Sequence, residues 1–219
     1  MAAITAALVK ELRETSGAGM MDCKKALTES NGDIEAAMEY LRKNGQAKAE
    51  KKANRIAAEG LTKIVADGDC KAAIVEVNSE TDFVAKNEKF QNYVEQVAKQ
   101  ALASNAADMD AFMDEKWIAD PSETVKDALV GMIAVISEKL SIRREEKVEE
   151  ADGVLANYSH DGGRISVIVD ASTAVVNDEI REAIRNIAMQ VAALSAEYVD
   201  VADVSEEKKA HEKEILMAN

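Results

Sequence analysis

Side chains that commonly catalyse reactions or bind metals are scarce in this sequence. Its histidines are His160 and His211, and Cys23 and Cys70 stand alone, without a Cys-x-x-Cys pair. The spacing of these histidines and cysteines does not match that of zinc ligands. Carboxylates are abundant, but their abundance in an acidic protein says nothing about the geometry of an acid/base pair. The sequence therefore predicts a protein that is not an enzyme and that has no metal and no cofactor.

A glycine-rich segment near the amino terminus has a superficial likeness to a phosphate-binding loop. Gly17, Gly19 and Lys24 supply glycines followed by a lysine. However, the segment lacks the Gly-Lys-Ser/Thr ending, and it follows a predicted helix where a phosphate-binding loop follows a strand. We therefore reject nucleotide binding by this segment.

The most informative residue is Phe83, an aromatic side chain in a polar corner between a predicted strand and a predicted helix. Residues 72–77, which precede it, are rich in side chains that favour strands. After it, apolar residues recur at the spacing of one helical face, which excludes Phe83: Phe90, Tyr93, Val94, Val97, Ala101 and Leu102. Such a ring either packs into its own core, which composition alone favours, or enters a pocket of a partner.

Length and composition predict a globular protein of the cytoplasm. The chain has 219 residues, of which 47% are hydrophobic and 31% charged, enough for one or two cores. It has no apolar run of membrane-spanning length, and residues 1–10 lack the cationic start of a secretory signal. Two isolated cysteines suit a reducing compartment. We therefore expect no membrane association.

The charge of the chain argues against a nucleic-acid partner. Its formal net charge is −14 at pH 7, whereas phosphate contacts depend on Lys and Arg. Positive charge is concentrated only locally, in residues 42–55. For this segment we favour a solvated linker helix over a phosphate-binding patch, because Glu50 interrupts the positive charge.

Glycine and capping signals divide the amino-terminal part of the chain into three short helices. The first ends at the glycines of residues 17–19, and the second lies within residues 21–27. Asp33 is placed to cap the third helix. Because the core of such a module is small, we expect the module to have only modest stability by itself.

Two Asp-Gly pairs, which begin at Asp67 and Asp161, predict tight hairpin turns. The shift that carries the first pair onto the second also carries Ile74 onto Ile168. In the helices that follow, the same shift aligns Gln96 with Gln190, Val97 with Val191, and Ala98 with Ala192. This correspondence indicates an internal duplication of a hairpin-plus-helix unit, and hence two similar α+β lobes.

Further helices are predicted between the lobes and in the second lobe. Asp120 as cap, Pro121 at the first helical position and Glu123 in a capping box predict the start of the inter-lobe helix. The apolar stripe of the second-lobe helix, which matches the face of the first-lobe helix, comprises Ile180, Ala183, Ile184, Ile187, Val191 and Leu194. A last helix opens near Asp203 and runs to Asn219 without a termination signal.

The sequence thus predicts an α+β fold: a three-helix domain followed by a duplicated core of two α+β lobes. The expected boundaries are 1–45 for the three-helix domain, 46–58 for a linker helix, 59–150 for the first lobe with the inter-lobe helix, 151–202 for the second lobe, and 203–219 for the start of a truncated helical segment.

Several strings of residues closely resemble the translation elongation factor Ts family. The most specific are residues 17–27, 31–34 and 81–86, with further similarity at 142–144 and 187–189. The resemblance spans nearly the whole chain. It implies a ubiquitin-associated-like fold for the three-helix domain, and it implies that the two lobes form the core that embraces elongation factor Tu.

The resemblance implies a guanine-nucleotide exchange factor that releases GDP from the GTPase elongation factor Tu during translation elongation. A GTPase holds GDP through backbone amides around the phosphates and through Mg²⁺, and the factor is expected to disturb both sites. The implied site residues are Thr81, Asp82, Phe83 and Val84 near the magnesium site, His160 toward the phosphate-binding loop, and Met20 and Met21 on a helix of the GTPase. The chain is expected to be a monomer that pairs with this partner, with a homodimer as an alternative.

Simpler interpretations of these residues stay open. His160 can be a turn histidine that faces water, and the two methionines can fill the small helical core. Of this pair, we expect Met21 to be the more buried and Met20 the more exposed. As an alternative function, the ubiquitin-associated-like amino-terminal helices can serve as an adaptor that binds ubiquitin-like proteins or peptides, with the lobes as a passive scaffold without exchange activity.

Overall fold

The structure is a computed structural model that describes residues 4–218. Its amino-terminal part consists of the three expected helices: α1 (Ala6–Ser16), α2 (Met20–Glu29) and α3 (Ile34–Lys52). Gly17 ends α1 in the left-handed conformation, with φ of 66°. Asp33 caps α3 as predicted, because its carboxylate accepts a hydrogen bond from the Ala36 N–H at 2.8 Å.

The remaining elements form a strand and helix core, so the predicted α+β class is confirmed. In chain order they are β1 (Glu59–Asp67), β2 (Lys71–Ser79), α4 (Asp82–Ala85), α5 (Glu88–Ala103), α6 (Met109–Asp114), β3 (Lys116–Trp117), β4 (Asp120–Thr124), α7 (Val125–Ile136), β5 (Ser141–Glu149), β6 (Gly153–His160), β7 (Ile165–Ser172), α8 (Asp178–Leu194) and α9 (Glu206–Ala218). The expected continuation of the last helix to Asn219 lies outside the described residues.

The third helix is longer than expected. Residues 46–52, predicted as part of a separate linker helix, are the end of α3. Cationic side chains of this helix are paired with carboxylates: Arg42 with Asp127 at 2.7 Å, Lys43 with Glu39 at 2.7 Å, and Lys48 with Asp22 at 2.8 Å. These ion pairs neutralise part of the local positive charge.

The two hairpins follow the same plan. β1 pairs with β2 in antiparallel register, and β6 pairs with β7 in the same way, with the two Asp-Gly pairs at the connecting turns. Each hairpin is followed by a helix that packs on it, α5 in the first lobe and α8 in the second. The shift that superimposes the turns carries buried Phe90 of α5 onto buried Ile184 of α8. The structure therefore agrees with a duplicated unit.

The main core lies between the three-stranded sheet β1-β2-β5 and the helices α5, α6 and α7. The apolar face of α5 packs into this core as predicted. Phe90 of α5 and Phe112 of α6 are among the largest fully buried side chains of the core. A separate small core, which includes Leu12 and Leu27, holds α1, α2 and α3 together. Within the described part of the chain, none of the helices has the length and apolar character needed to cross a membrane.

The predicted start of the inter-lobe helix is wrong. Residues 120–124 form β4, and α7 begins at Val125 with Thr124 as its cap. Thr124 accepts a hydrogen bond from the Asp127 N–H at 3.1 Å, and the Asp127 carboxylate accepts one from the Thr124 N–H at 3.2 Å. This capping box prevails because the buried residues of the helix begin only at Val125, while Pro121 is exposed in a two-stranded sheet that tolerates it.

The apolar stripe of α8 is only partly buried. Only Ile184 and Ala188 are buried in this helix, whereas Ile187 and Leu194 are 53% and 68% exposed. The physical reason is the smaller second lobe, whose sheet has two strands. In the first lobe α7 packs against α5, but among residues 4–218 no helix covers the outer face of α8 in the same way.

Candidate functional site

Phe83 lies in the single helical turn α4, between the end of β2 and the start of α5. Its ring is 79% exposed, so it is not part of the core of its own lobe. The neighbouring Val84 is 8% exposed and packs in the main core. A buried residue thus anchors the turn while the adjacent aromatic ring stands in solvent, an arrangement that suits contact with another molecule.

Thr81 and Asp82 are held by polar contacts on the two sides of this turn. The Thr81 hydroxyl donates a hydrogen bond to Glu138 Oε1 at 2.8 Å. On the exposed side, Lys86 Nζ donates to Asp82 Oδ2 at 2.9 Å, and this hydrogen bond lowers the pKa of the Asp82 carboxyl. The positive charge of Arg164 acts in the same direction, which places the second hairpin within electrostatic range of the corner.

A groove joins the corner to the amino-terminal helices. It is lined by Phe83 and Val84 of the corner, by the loop that leads to Met20, and by Val135 and Ile136 of α7. We call this surface the Met20–Phe83 groove. It brings together residues far apart in sequence, because α3 packs against α7 and so places the three-helix module beside the core.

The expected order of exposure of the two methionines is wrong. Met20 is 59% exposed and Met21 is 75% exposed. Both lie in the first turn of α2, whose buried residues include Cys23. At 3.6 residues per turn, Met20 lies about 60° from Cys23 around the helix axis, whereas Met21 lies about 160° away. Met20 is therefore at the edge of the buried face, and Met21 points away from it.

His160 ends β6 at the turn of the second hairpin and is exposed. Its Nδ1 atom lies 2.8 Å from the Tyr158 hydroxyl, so a hydrogen bond joins the two side chains. The turn itself is tied to β1, because the Thr62 hydroxyl donates to the Gly163 carbonyl oxygen at 2.8 Å. His160 does not line the Met20–Phe83 groove. It occupies a second position on the surface of the core.

The sequence analysis did not identify Val135, Arg13 or Lys89 as groove residues. Arg13 lies in the last turn of α1, near the glycine turn, and Lys89 lies in the first turn of α5. Gly17 lies close to Val135, because a Cβ atom at Gly17 would lie 3.4 Å from Val135 Cγ2. No local sequence pattern reports such a contact between distant segments.

The chemical groups at the groove suit binding better than catalysis. Its lining combines the apolar side chains with two cationic side chains, Arg13 and Lys89. Within residues 4–218 no group of three or more His, Cys, Asp or Glu side chains is arranged to hold a metal ion. An exposed apolar surface accompanied by charged side chains is typical of protein–protein contact.

Comparison with known proteins places these features in a family. Residues 80–219 match the family model described as Elongation factor TS. The chain is 47% identical over 216 residues to Elongation factor Ts of Clostridium novyi (strain NT), which covers 98% of this chain and 71% of the relative. It is 47% identical over 213 residues to Elongation factor Ts of Clostridium tetani (strain Massachusetts / E88), which covers 97% of this chain and 70% of the relative.

Proposed function

Because the chain belongs to the elongation factor Ts family, we propose that it binds elongation factor Tu in its GDP-bound form and accelerates release of GDP. Membership of this family implies nucleotide exchange during translation elongation and no chemical reaction on a substrate of its own. The single observation that carries the proposal is the exposed Phe83 ring on a corner anchored by buried Val84.

The first step of the proposed mechanism acts on the magnesium site of the partner. Phe83 enters between helices of elongation factor Tu, with Asp82 beside it and Thr81 and Val84 fixing the direction of the turn. Burial of an aromatic ring at a good interface position contributes about 2–4 kcal/mol, which offsets local rearrangement of the partner. Since Mg²⁺ bridges protein oxygens and phosphate, displacement of its ligands weakens the hold on GDP.

The amino-terminal helices supply a second contact in this proposal. Met20 and Met21 rest on a helix of the nucleotide-binding domain of the partner, and flexible methionine side chains adapt to such a surface. Met20 shares the groove with Phe83, so both can contact one continuous surface. The partner is thereby held while the ring enters.

His160 acts at a third position. In the proposal its imidazole approaches the phosphate-binding loop of elongation factor Tu and disturbs the backbone amides that hold the phosphates. The hydrogen bond with the Tyr158 hydroxyl restricts the orientation of the ring before the partner arrives. Disturbing the magnesium site and the phosphate site together speeds release more than disturbing either alone.

The factor and GDP weaken the binding of each other to the GTPase by the same factor, because coupling between two sites is reciprocal. The factor therefore does not choose GTP over GDP. The excess of GTP in the cell sets the direction of exchange.

Stimulated release of GDP tests this function. Elongation factor Tu loaded with fluorescent GDP is mixed with excess unlabelled nucleotide and increasing amounts of the chain, and the fluorescence decay is recorded at several magnesium concentrations. We expect faster decay, with the largest acceleration where magnesium is abundant, because spontaneous release is then slowest. An unaltered decay would reject the proposal and favour an adaptor without exchange activity.

A further inference from the structure

We propose that Glu138 is a positioning residue for nucleotide exchange, because its carboxylate fixes the corner that presents Asp82 and Phe83. Glu138 follows α7 in the connection to β5 and does not line the Met20–Phe83 groove. Both of its carboxylate oxygens accept hydrogen bonds from the corner, so its effect on the partner is expected to pass through the corner. This inference rests on the proposed function and adds to it a residue outside the contact surface.

Three hydrogen bonds join the corner to this carboxylate. Glu138 Oε2 accepts from the N–H groups of Glu80 and Thr81 at 3.1 and 3.0 Å. Glu138 Oε1 accepts from the Thr81 hydroxyl at 2.8 Å. The carboxylate thus satisfies two successive backbone donors that follow the last residue of β2, and it fixes the side chain that precedes α4. Hydrogen bonds to a charged acceptor are stronger than those between neutral groups.

The carboxylate of Glu80, in the corner, makes a hydrogen bond to the segment that contains Glu138. Glu80 Oε1 accepts a hydrogen bond from the Lys139 N–H at 2.5 Å, and this bond lowers the pKa of Glu80. Each segment therefore supplies a carboxylate to the backbone of the other. Reciprocal bonds of this kind restrain both the separation of the two segments and their relative rotation.

The end of α3 is attached to the same cluster. Lys139 Nζ donates to the carbonyl oxygens of Ala53 and Arg55 at 2.7 and 2.8 Å. Arg55 in turn donates to both carboxylate oxygens of Glu80, at 3.3 and 3.4 Å. The corner is thus connected to the segment that leaves the three-helix module. The position of Phe83 relative to Met20 depends on this cluster as well as on the packing of α3 against α7.

Positioning matters here because α4 is a single turn of four residues. A helix of this length is not stable by itself, and its conformation must be imposed by its surroundings. An exposed ring on a loose turn would have to be ordered when it enters the partner, and that cost would oppose exchange. The Glu138 carboxylate orders the turn before the partner binds.

The test compares Glu138→Ala with Glu115→Ala in stimulated GDP release from elongation factor Tu. Glu115 is a matched control, because its half-buried carboxylate also accepts side-chain hydrogen bonds, from Gln100 at 2.9 Å and from Ser104 at 2.8 Å. Glu115 does not line the groove. We expect Glu138→Ala to lower the maximal rate of release by about tenfold, the equivalent of one or two hydrogen bonds, and Glu115→Ala to leave that rate unchanged.

Two further measurements separate positioning from general loss of structure. Amide hydrogen exchange at Glu80 and Thr81 should become faster in Glu138→Ala and stay unchanged in Glu115→Ala. Glu138→Gln keeps an acceptor oxygen for the two N–H groups and should recover most of the maximal rate. If Glu138→Ala does not fold, Thr81→Val removes one of the three hydrogen bonds and should show a smaller loss of rate in the folded protein.

The outcomes distinguish this inference from the proposed function. If the unaltered chain does not accelerate GDP release, the proposed function fails and this inference fails with it. If the unaltered chain is active and Glu138→Ala matches Glu115→Ala in maximal rate, only the positioning role of Glu138 is overturned.

Discussion

At the scale of single residues, the exposure of Phe83 separates its role in binding from any role in folding. We expect Phe83→Ala to slow stimulated GDP release by about tenfold or more, because the ring supplies about 2–4 kcal/mol at the interface. Because the ring is 79% exposed, the free energy of unfolding should change by less than about 0.5 kcal/mol. Stopped-flow fluorescence and denaturant unfolding measure the two quantities.

A matched control for this variant is Ile56→Ala. Ile56 is also a large, exposed apolar residue, but it does not line the Met20–Phe83 groove. Ile56→Ala should change neither the free energy of unfolding nor the rate of stimulated GDP release. Unchanged release kinetics in Phe83→Ala would remove Phe83 from the mechanism.

Glu123 predicts a pH dependence of stability. Burial raises the pKa of its carboxyl above 4.5, and the negative charges of Asp120 and Asp127 raise it further. Below pH 4.5 the group is protonated in both the folded and the unfolded chain, so it has no effect. As the pH rises through the higher folded pKa, the folded state loses stability because it disfavours the charged form.

Glu123→Gln should therefore raise the free energy of unfolding near neutral pH and leave it nearly unchanged below 4.5. Thermal unfolding over a pH series measures the difference between the two proteins. Glu11→Gln, on the exposed face of α1, serves as the control and should show no such difference. A constant difference at every pH would contradict the assignment.

At the scale of elements, the start of α7 gives a test between two capping signals. Thr124→Ala removes the observed capping box and should lower the free energy of unfolding by about 1 kcal/mol. Pro121→Ala alters the residue that the sequence pattern suggested as the first helical position. Because Pro121 is exposed in β4, its replacement should change stability by less than about 0.5 kcal/mol. Denaturant unfolding measures the loss of stability in each variant. A larger loss in Pro121→Ala than in Thr124→Ala would indicate that the helix begins at Pro121.

Elements with strong local signals could be predicted from the sequence, whereas features that depend on packing between elements could not. Asp67 and Asp161 predicted hairpins because Asp-Gly turns depend on only two residues. The start of α7 was missed because Asp120 and Thr124 both have capping side chains, and packing decides between them. The exposure of Ile187 on α8 was missed because helical spacing identifies an apolar face but not whether another element covers it.

The candidate site could be predicted only in part, for a related reason. Composition alone favoured a buried Phe83, local spacing placed the ring outside the face of α5, and only the family resemblance implied that the ring contacts a partner. The groove that Phe83 shares with Met20 and Val135 depends on contacts between segments more than fifty residues apart in sequence. The packing of α3 against α7, together with the hydrogen bonds of Lys139 to Glu80 and to the end of α3, brings these three residues together.

At the scale of the whole molecule, Gly45 controls how the three-helix module sits on the core. A Cβ atom at Gly45 of α3 would lie 3.5 Å from Val130 Cγ1 and 3.6 Å from the Cβ of Ala134, both in α7. Alanine fits this space, and Gly45→Ala should stabilise the protein by up to about 1 kcal/mol through helix propensity. Leucine does not fit, and Gly45→Leu should destabilise it by about 1–3 kcal/mol.

The two variants should also differ in stimulated GDP release. Gly45→Leu moves the module away from α7 and so shifts Met20 relative to Phe83, which should slow release at subsaturating concentrations of the chain. Gly45→Ala should retain the activity of the unaltered chain. Equal activity of the two variants would show that the docking of the module does not matter for exchange.

The unbroken course of α3 gives the molecule a rotational register. The helix runs from the module, past its contact with α7, to Lys52, seven residues before β1 begins at Glu59. Each residue of an α-helix turns the chain by about 100° and advances it by about 1.5 Å. One residue inserted near Ala49, after the contact of Gly45 with α7, would rotate the end of α3 by about 100° relative to that contact, whereas seven residues, close to two full turns, would nearly restore its direction. Natural variation in the length of this helix should therefore occur in whole turns.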